Sequence, residues 1–496
     1  LDTIYIYVQW DEALKRSGEM TVWSEPVTQV QWRDGKRYLW IMGAVMPLLP
    51  FVSWALVGLT GLGAFWYFAP VFVFTVIPLV DLVVGLDRNN PPDEVIERLE
   101  NDRYYRWVTY AFIPVQYAGL IWGAWILADD RLGVSDKIGL TLGLGIVAGI
   151  AINTAHELGH KKQQHERWLA RVALAQTCYG HFFIEHNRGH HGRVATPEDP
   201  ASSRLGENVW SFLPRTVWGS LLSAWDLEKS RLTRRSRPVW NWHNDVLNAW
   251  AMSVVLWGGL LIAFGWRILP YLVLQAVVGI WLLESINYLE HYGMLRGTTA
   301  SGRYERPNPS HSWNSNNLGT NVLLYHLQRH SDHHANPLRR YQALRDFPES
   351  PVLPTGYAGM IMLTWVPAIW RRVMDPRVLA HFDGDLGRAN IVARKRDRIL
   401  AAHAVTSYVP TERTASRGKP HRESGNLPAR VGENPSGQVS RYSCPNCGYV
   451  YDEAHGNPRE GWPAGTPFDR IDRNWSCPDC GVREQRDFEP LAAHPA

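Results

Sequence analysis

Residues 138–160 read IGLTLGLGIVAGIAINTAHELGH, and this stretch decides what class of protein the chain is. The first eighteen positions, 138–155, carry no charge, and histidines follow at 156 and 160. A bilayer-crossing helix needs roughly 20 apolar residues. Segments of similar character lie at about 39–59, 64–85, 107–128, 246–266 and 269–290. Six such runs within 250 residues outweigh the alternative of core helices in a large soluble protein. The mean hydropathy of −0.23 averages these runs with a polar C-terminal third. Many of the 24 Trp flank the apolar segments, as an interfacial belt requires. The net charge of +4 is too small to argue for a nucleic-acid partner.

The connections set an orientation. Lys15, Arg16, Arg33, Lys36 and Arg37 precede the first span, Arg88, Arg98, Arg103 and Arg106 follow the second, and Arg231, Arg234, Arg235 and Arg237 precede the fifth. The opposite connections are short and poor in Lys and Arg, with only Arg131, Lys137 and Arg267. Positive charge stays inside, so both termini are expected in the cytoplasm. Residues 1–37 show no short apolar core followed by a small-residue cleavage site.

Four histidine clusters then fall at one face. His156 and His160 end the fourth span and His291 ends the sixth. His186, His190 and His191, then His330, His333 and His334, lie in segments beside those ends. Imidazole is the commonest side-chain ligand for iron, copper and zinc. Nine ligands exceed one ion, so two ions are expected, one with four ligands and one with five. His156 and His160 stand at i, i+4 on a helix and can share one ion; His186 and His190 offer the same spacing with His191 beside them, and spacing does not tell which histidine serves which ion. His330, His333 and His334 sit at i, i+3 and i+4. Glu157, Glu185, Glu290 and Asp332 lie inside the clusters, as ligands or as carboxylates that orient the rings. Taken alone, His156-Glu157-Leu158-Gly159-His160 also fits the zinc metalloprotease motif; the other seven histidines weigh against it. The remaining histidines, among them His165, His181, His243, His311 and His326, are assigned to structure or surface.

Near the C-terminus, Cys444, Cys447, Cys477 and Cys480 form two Cys-Pro-x-Cys-Gly turns. Four thiolates suit one zinc or one iron, and the turns by themselves leave both open. Residues 441–489, with Tyr449, Tyr451, Trp462, Phe468 and Trp475, resemble rubredoxin. That resemblance implies one iron on the four cysteines, passing one electron at a time. The segment 441–496 holds nine Asp/Glu against six Arg, opposite in sign to the basic face, which favours transient docking.

The strings HELGHKK, EHNRGHH, LEHYG and LQRHSDHHA resemble the histidine boxes of the membrane alkane 1-monooxygenases, over about residues 35–380. The resemblance implies a non-haem diiron centre on all nine histidines that inserts one oxygen atom of O2 into the terminal methyl of a medium-chain alkane. It also implies electrons from the rubredoxin and, upstream, from a separate NADH-dependent flavin reductase, in a bacterial inner membrane. A fatty-acid desaturase or hydroxylase is the closest alternative, an intramembrane zinc protease a second, and a metal-carrying protein a third. The expected architecture is mostly α: an N-terminal segment 1–38, a six-span bundle with a histidine-rich diiron cap at 39–386, a flexible linker at 387–440, and a small β-rich rubredoxin domain at 441–496. Trp54, Trp66 and Trp257 are candidates for lining a substrate channel.

Overall fold

The computed structural model describes residues 32–404, apart from 300, 301 and 303, and residues 441–491, apart from 446, 447, 474, 476 and 480–482. Most of the expected N-terminal segment lies outside the described residues. Six helices are long and apolar enough to span a bilayer: Ile41–Thr60, Gly63–Val84, Arg103–Leu127, Val134–Gly159, Asp245–Phe264 and Trp266–His291. Side-chain caps start several helices. Asp102 accepts from the Tyr104 N–H, Asn208 from the Ser211 N–H, and Asn244 from the Val246 and Leu247 N–H groups.

Burial separates the spans. In the most apolar window of the fourth span 83 % of residues are buried, against 17 % in the second and 22 % in the fifth. The fourth span is therefore the axis, and the others present Leu59, Leu82, Val83, Val254, Val255 and Ile262 to the hydrocarbon. Exposed Trp107, Trp125, Trp240, Trp242 and Trp266 lie at or near the span ends, where the indole is half in lipid and half in water.

Glycines let the fourth and sixth spans touch at backbone distance. A Cβ on Gly145 would stand 2.6 Å from Val278 Cβ and 3.0 Å from the Gln275 carbonyl. One on Gly149 would stand 2.9 Å from Leu282 and 3.3 Å from the Gly279 carbonyl. Between apolar helices in lipid, such close packing replaces the hydrophobic drive that water would provide. A carboxylate in the second span makes another anchor. Asp81 is buried and accepts from both the backbone N–H (2.8 Å) and the hydroxyl of Thr320. It ties the second span to the short helix Leu318–Leu323, which precedes the last histidine cluster.

Beyond the spans, helices Gln164–Ala175 and Val209–Arg234 brace the histidine face. The linker expected from residue 387 starts later than composition indicates. Residues 386–404 form two tight turns and the helix Arg396–Ala404. Ile391 pairs with Leu205 as a one-residue parallel bridge, in which the Leu205 N–H reaches the Asn390 carbonyl at 2.7 Å. Ile391 is buried, and Ile399 packs on the same core; these few apolar anchors hold a strongly basic segment in place. The rest of the expected linker, 405–440, lies outside the described residues.

The C-terminal domain is a three-stranded antiparallel sheet, with β1 (Arg441–Ser443) between β2 (Val450–Asp452) and β3 (Glu489–Leu491). Its core is aromatic: Tyr451, Phe468, Trp475 and Phe488, with Tyr442 stacked on Phe468 at 4.0 Å.

Gly149→Leu should wedge the fourth and sixth spans apart, with a loss of about 1–3 kcal/mol typical of overpacking. A lowered thermal midpoint in detergent, together with reduced metal content, is expected; an unchanged midpoint would contradict the packing account.

Candidate metal centre

The nine histidines meet in one buried chamber. They divide into two adjacent groups, His156, His160, His186, His191 and His333, and His190, His291, His330 and His334. Within each group one nitrogen per ring lies within 4.8 Å of all the others. In the first group Nε2 of His186 stands 3.1 Å from Nε2 of both His160 and His191, and His191 stands 3.1 Å from His333. In the second, Nε2 of His330 stands 2.8 Å from His334 and 3.3 Å from His291, while His334 is 3.3 Å from His190. The groups touch where the rings of His191 and His334 approach to 4.5 Å.

The donor set fits metal ions. A ring nitrogen carries either one proton or one lone pair, so Nε2 of His186 cannot satisfy two imidazoles, nor can that of His330. The buried Nε2 of His156 has no hydrogen-bond partner. Convergent, unsatisfied lone pairs are what a cation needs. Burial, reinforced by the neighbouring rings, lowers the imidazoles of His186, His330, His333 and His334 well below their ordinary range, so they stay neutral. Neutral imidazole is the ligating form.

The nine histidines fall into groups of five and four, and the i, i+4 pair His186 and His190 is split between them. His186 joins His191 instead. The cause is local: residues His186–His190 form a π-helical turn. The wider turn brings i and i+5 into line, so adjacent His190 and His191 face different groups. Each residue of the Asn-Arg-Gly stretch holds this turn. Asn187 Nδ2 donates to the Phe183 carbonyl at 2.7 Å. Arg188 pairs with Glu228 and Asp245, each at 2.7 Å. At Gly189 a Cβ would collide with Arg193 (2.5 Å) and Glu185 (2.7 Å). The pairs His156/His160 and His330/His334 keep their helical spacing within one group, and His333 crosses to the other.

The four carboxylates take unequal parts. Glu290 Oε2 lies 3.1 Å from His330 Nε2. Glu157 pairs with Lys161 (3.0 Å), Glu185 with Arg193 (2.9 Å), and Asp332 with Arg339 (2.6 Å), so these three brace the backbone around the rings. Sequence reading missed Asp199, which accepts from Nδ1 of His190 at 2.9 Å and from the Ser202 hydroxyl at 2.6 Å. Burial alone would raise its pKa, but His190 and Ser202 hold this carboxyl well below the usual range. That bond fixes the proton on Nδ1 and turns the Nε2 lone pair into the chamber. Asp199 stands nine residues from His190, across a turn that no helical spacing reveals.

Below the chamber a narrow apolar cavity lies between the second, fourth and sixth spans and helix Tyr357–Thr364. Ile146, Ile150, Asn153, Leu282, Ile286 and Tyr357 line it. Asn153 precedes His156 by one turn of the same helix, and Ile146 lies about 15 Å away along it, at 1.5 Å per residue. The three tryptophans expected along a channel lie elsewhere. Trp54 is half-exposed and meets Trp122 edge-on, Trp66 is packed with Leu120 and Leu140, and the Trp257 indole donates to the Gln176 carbonyl at 3.1 Å. The faces that enclose the cavity carry branched aliphatic side chains, whereas these indoles fill helix crossings or the lipid boundary.

The rubredoxin-like domain rests on the same face. Cys444 and Cys477 are buried; Cys447 and Cys480 lie outside the described residues. Arg306 pairs with Asp479 (2.8 Å), Lys162 with Glu460 (2.7 Å), Arg234 with Asp487 (3.1 Å), and Arg235 with Glu484. The basic partner is always on the membrane domain, as the charge asymmetry predicts. Exposed pairs of this kind are individually weak.

Asp199→Ala should weaken retention of metal by the four-histidine group about 10–100-fold, the usual effect of losing a carboxylate behind a ligating imidazole. Chelator competition checks this, and the visible absorbance of the cysteine-bound iron should not change.

Comparison with known proteins agrees with this geometry. The fatty acid desaturase family model matches residues 138–364, and the rubredoxin model matches 441–488. The alkane 1-monooxygenase of Pseudomonas putida is 48 % identical over 361 residues, covering 73 % of this chain and 90 % of that protein. That of Ectopseudomonas oleovorans is 46 % identical over 377 residues, covering 76 % and 94 %. Rubredoxin 3 of Rhodococcus erythropolis is 64 % identical over 55 residues, covering 11 % of this chain and 90 % of its own length. With six candidate spans, two histidine groups and near-complete coverage of these relatives, the chain belongs to the alkane 1-monooxygenase family and carries a rubredoxin domain.

Proposed function

We propose that this protein hydroxylates the terminal carbon of medium-chain n-alkanes, using O2 at two non-haem irons, with electrons delivered by its own rubredoxin domain. The observation that carries the reading is the division of nine buried imidazoles into groups of five and four. His156, His160, His186, His191 and His333 would hold one iron, and His190, His291, His330 and His334 the other. Cys444, Cys447, Cys477 and Cys480 would hold the rubredoxin iron. The irons supply the binding and reduction of O2; one oxygen atom enters the alkane and the other leaves as water, with two electrons and two protons consumed.

The chain's own residues do the rest. An alkane has no polar handle, so shape must place its methyl group. The cavity lined by Ile146, Ile150, Leu282 and Ile286 offers such a slot, and its Asn153 end approaches His156. Asn153 donates one amide N–H to the Leu324 carbonyl at 2.8 Å, which fixes the orientation of its side chain. Glu290, beside His330, is the carboxylate placed to accept or return a proton at the four-histidine group. The Lys/Arg bias of the connections supports a cytoplasmic histidine face in a bacterial inner membrane. There a soluble NADH-dependent flavin reductase would reach the rubredoxin domain.

The desaturase family match over 138–364 favours an acyl-chain desaturase as the second reading. The alkane 1-monooxygenases that this chain matches over at least 90 % of their length, and the rubredoxin domain, weigh against it.

Purified protein, supplied with a rubredoxin reductase, NADH and O2, should convert a medium-chain n-alkane to its 1-alkanol. Full iron loading with turnover of acyl substrates only would refute the reading. His333→Ala should lose iron from the histidine chamber, and activity with it, while the rubredoxin colour remains. Cys447→Ala should do the reverse, and added free rubredoxin should restore product.

A further inference from the structure

A continuous string of contacts joins the rubredoxin domain to the five-histidine group. Arg306 donates to Asp479 at 2.8 Å, and Asp479 lies inside the second cysteine turn. The stem of the same side chain packs on Gly448, which closes the first turn: a Cβ there would stand 3.7 Å from Arg306 Cδ. One arginine of the membrane domain thus touches both metal-binding turns. The carbonyl of the preceding residue, Glu305, accepts from Arg296 Nη1 at 3.0 Å. Arg296 Nη2 donates in turn to the Gly192 carbonyl at 2.8 Å. Gly192 directly follows His191.

Arg296 is well placed to hold that span rigid. It is 5 % exposed, its backbone N–H is bound to the Ala195 carbonyl at 2.9 Å, and its guanidinium lies over the Tyr304 ring at 5.6 Å. The planar guanidinium bonds two carbonyls at once, one on each side, which an ammonium cannot do with the same geometry. The other ion pairs between the two domains use Glu460, Glu484 and Asp487, all outside the cysteine turns. Lys162 stands two residues after His160, and Arg234 and Arg235 end the helix whose Glu228 pairs with Arg188, so these pairs also approach the histidine groups, but none of them touches a cysteine turn.

We propose that Arg296 is the positioning residue that couples the two metal sites, so that electrons leave the rubredoxin through Arg306, cross Arg296 to Gly192, and enter the chamber at His191. This rests on the functional reading above. Each passage oxidises the rubredoxin iron by one electron and reduces an iron in the histidine chamber by one. Two passages serve each alkane, the reductase re-reduces the rubredoxin iron between them, and O2 is the final acceptor. No bond of the chain forms or breaks.

The test uses the full chain with iron at both sites, its rubredoxin reduced anaerobically and then mixed with O2 and alkane in a stopped-flow cell. The return of oxidised-rubredoxin absorbance reports electron transfer directly. Arg296→Gln should slow that return, because the hydrogen-bonded connection is broken, with iron content and rubredoxin spectrum unchanged. Arg296→Lys, which keeps the charge and one donor, should recover part of the rate. A small mediator that reduces the histidine chamber directly should restore product formation in Arg296→Gln. If that variant does not accumulate, Arg306→Ala, a change at an exposed side chain, carries the test with the same expected slowing. An unsubstituted rate in either variant overturns the proposal. So does loss of chamber iron in proportion to the loss of rate, which would make Arg296 a structural brace only. If the unsubstituted protein never oxidises its rubredoxin, the functional reading falls and the inference with it.

Discussion

The contact between the fourth and sixth spans is the constraint on which the metal centre depends. Gly145 and Gly149 on one helix, and Gly279 on the other, bring two backbones close enough that no Cβ fits between them. His156 and His160 stand at one end of this pair and His291 at the same end of its partner. A small rotation or separation of the helices would carry the ligands of the two groups apart. Because the fourth span is almost wholly enclosed, the remaining helices have little freedom to follow such a shift. The site is therefore built on the most rigid part of the bundle, as positioning of reacting atoms requires.

The chamber shows how polar chemistry survives beside hydrocarbon. Nine imidazoles are buried, and burial keeps most of them neutral and ready to ligate. Around them, charged groups are paired: Arg188 with Glu228 and Asp245, Arg193 with Glu185, Arg339 with Asp332, and Lys161 with Glu157. Breaking one partner of such a pair would strand a charge in a poorly solvated place. The pairs thus lock the backbone segments that carry the rings. The π turn at His186–His190 is held in the same way, by a charge pair on one side and a glycine on the other.

Two different environments approach the histidine groups. Within the bundle, an aliphatic cavity lies along the fourth span below His156. On the other side, basic side chains of the membrane domain pair with acidic ones of the rubredoxin domain. Apolar burial is slow to exchange and selects by shape. Exposed charge pairs are individually weak and screened by salt. The histidine chamber lies at the meeting of these two environments.

Much of this was legible in the chain itself. Apolar run length is set by bilayer thickness, so six spans could be counted from composition. Nine histidines at the ends of those runs required a metal centre, and their number required two groups. The cysteine turns with their aromatic companions identified the electron-transfer domain. What sequence could not supply was everything decided by through-space geometry. Helical periodicity puts His186 and His190 on one face, because it assumes 3.6 residues per turn, and a π turn breaks that assumption. Asp199 was invisible because its partner lies across an irregular loop. The tryptophans were misplaced because hydrophobic bulk alone does not say which face of a helix turns inward. Residues 387–404 read as linker because basic composition hid the anchors Ile391 and Ile399. The chain determined which ligands and compartments exist, since these follow from residue chemistry and run length; only tertiary packing decided which imidazole serves which group, because that depends on the register and local pitch of helices far apart in sequence.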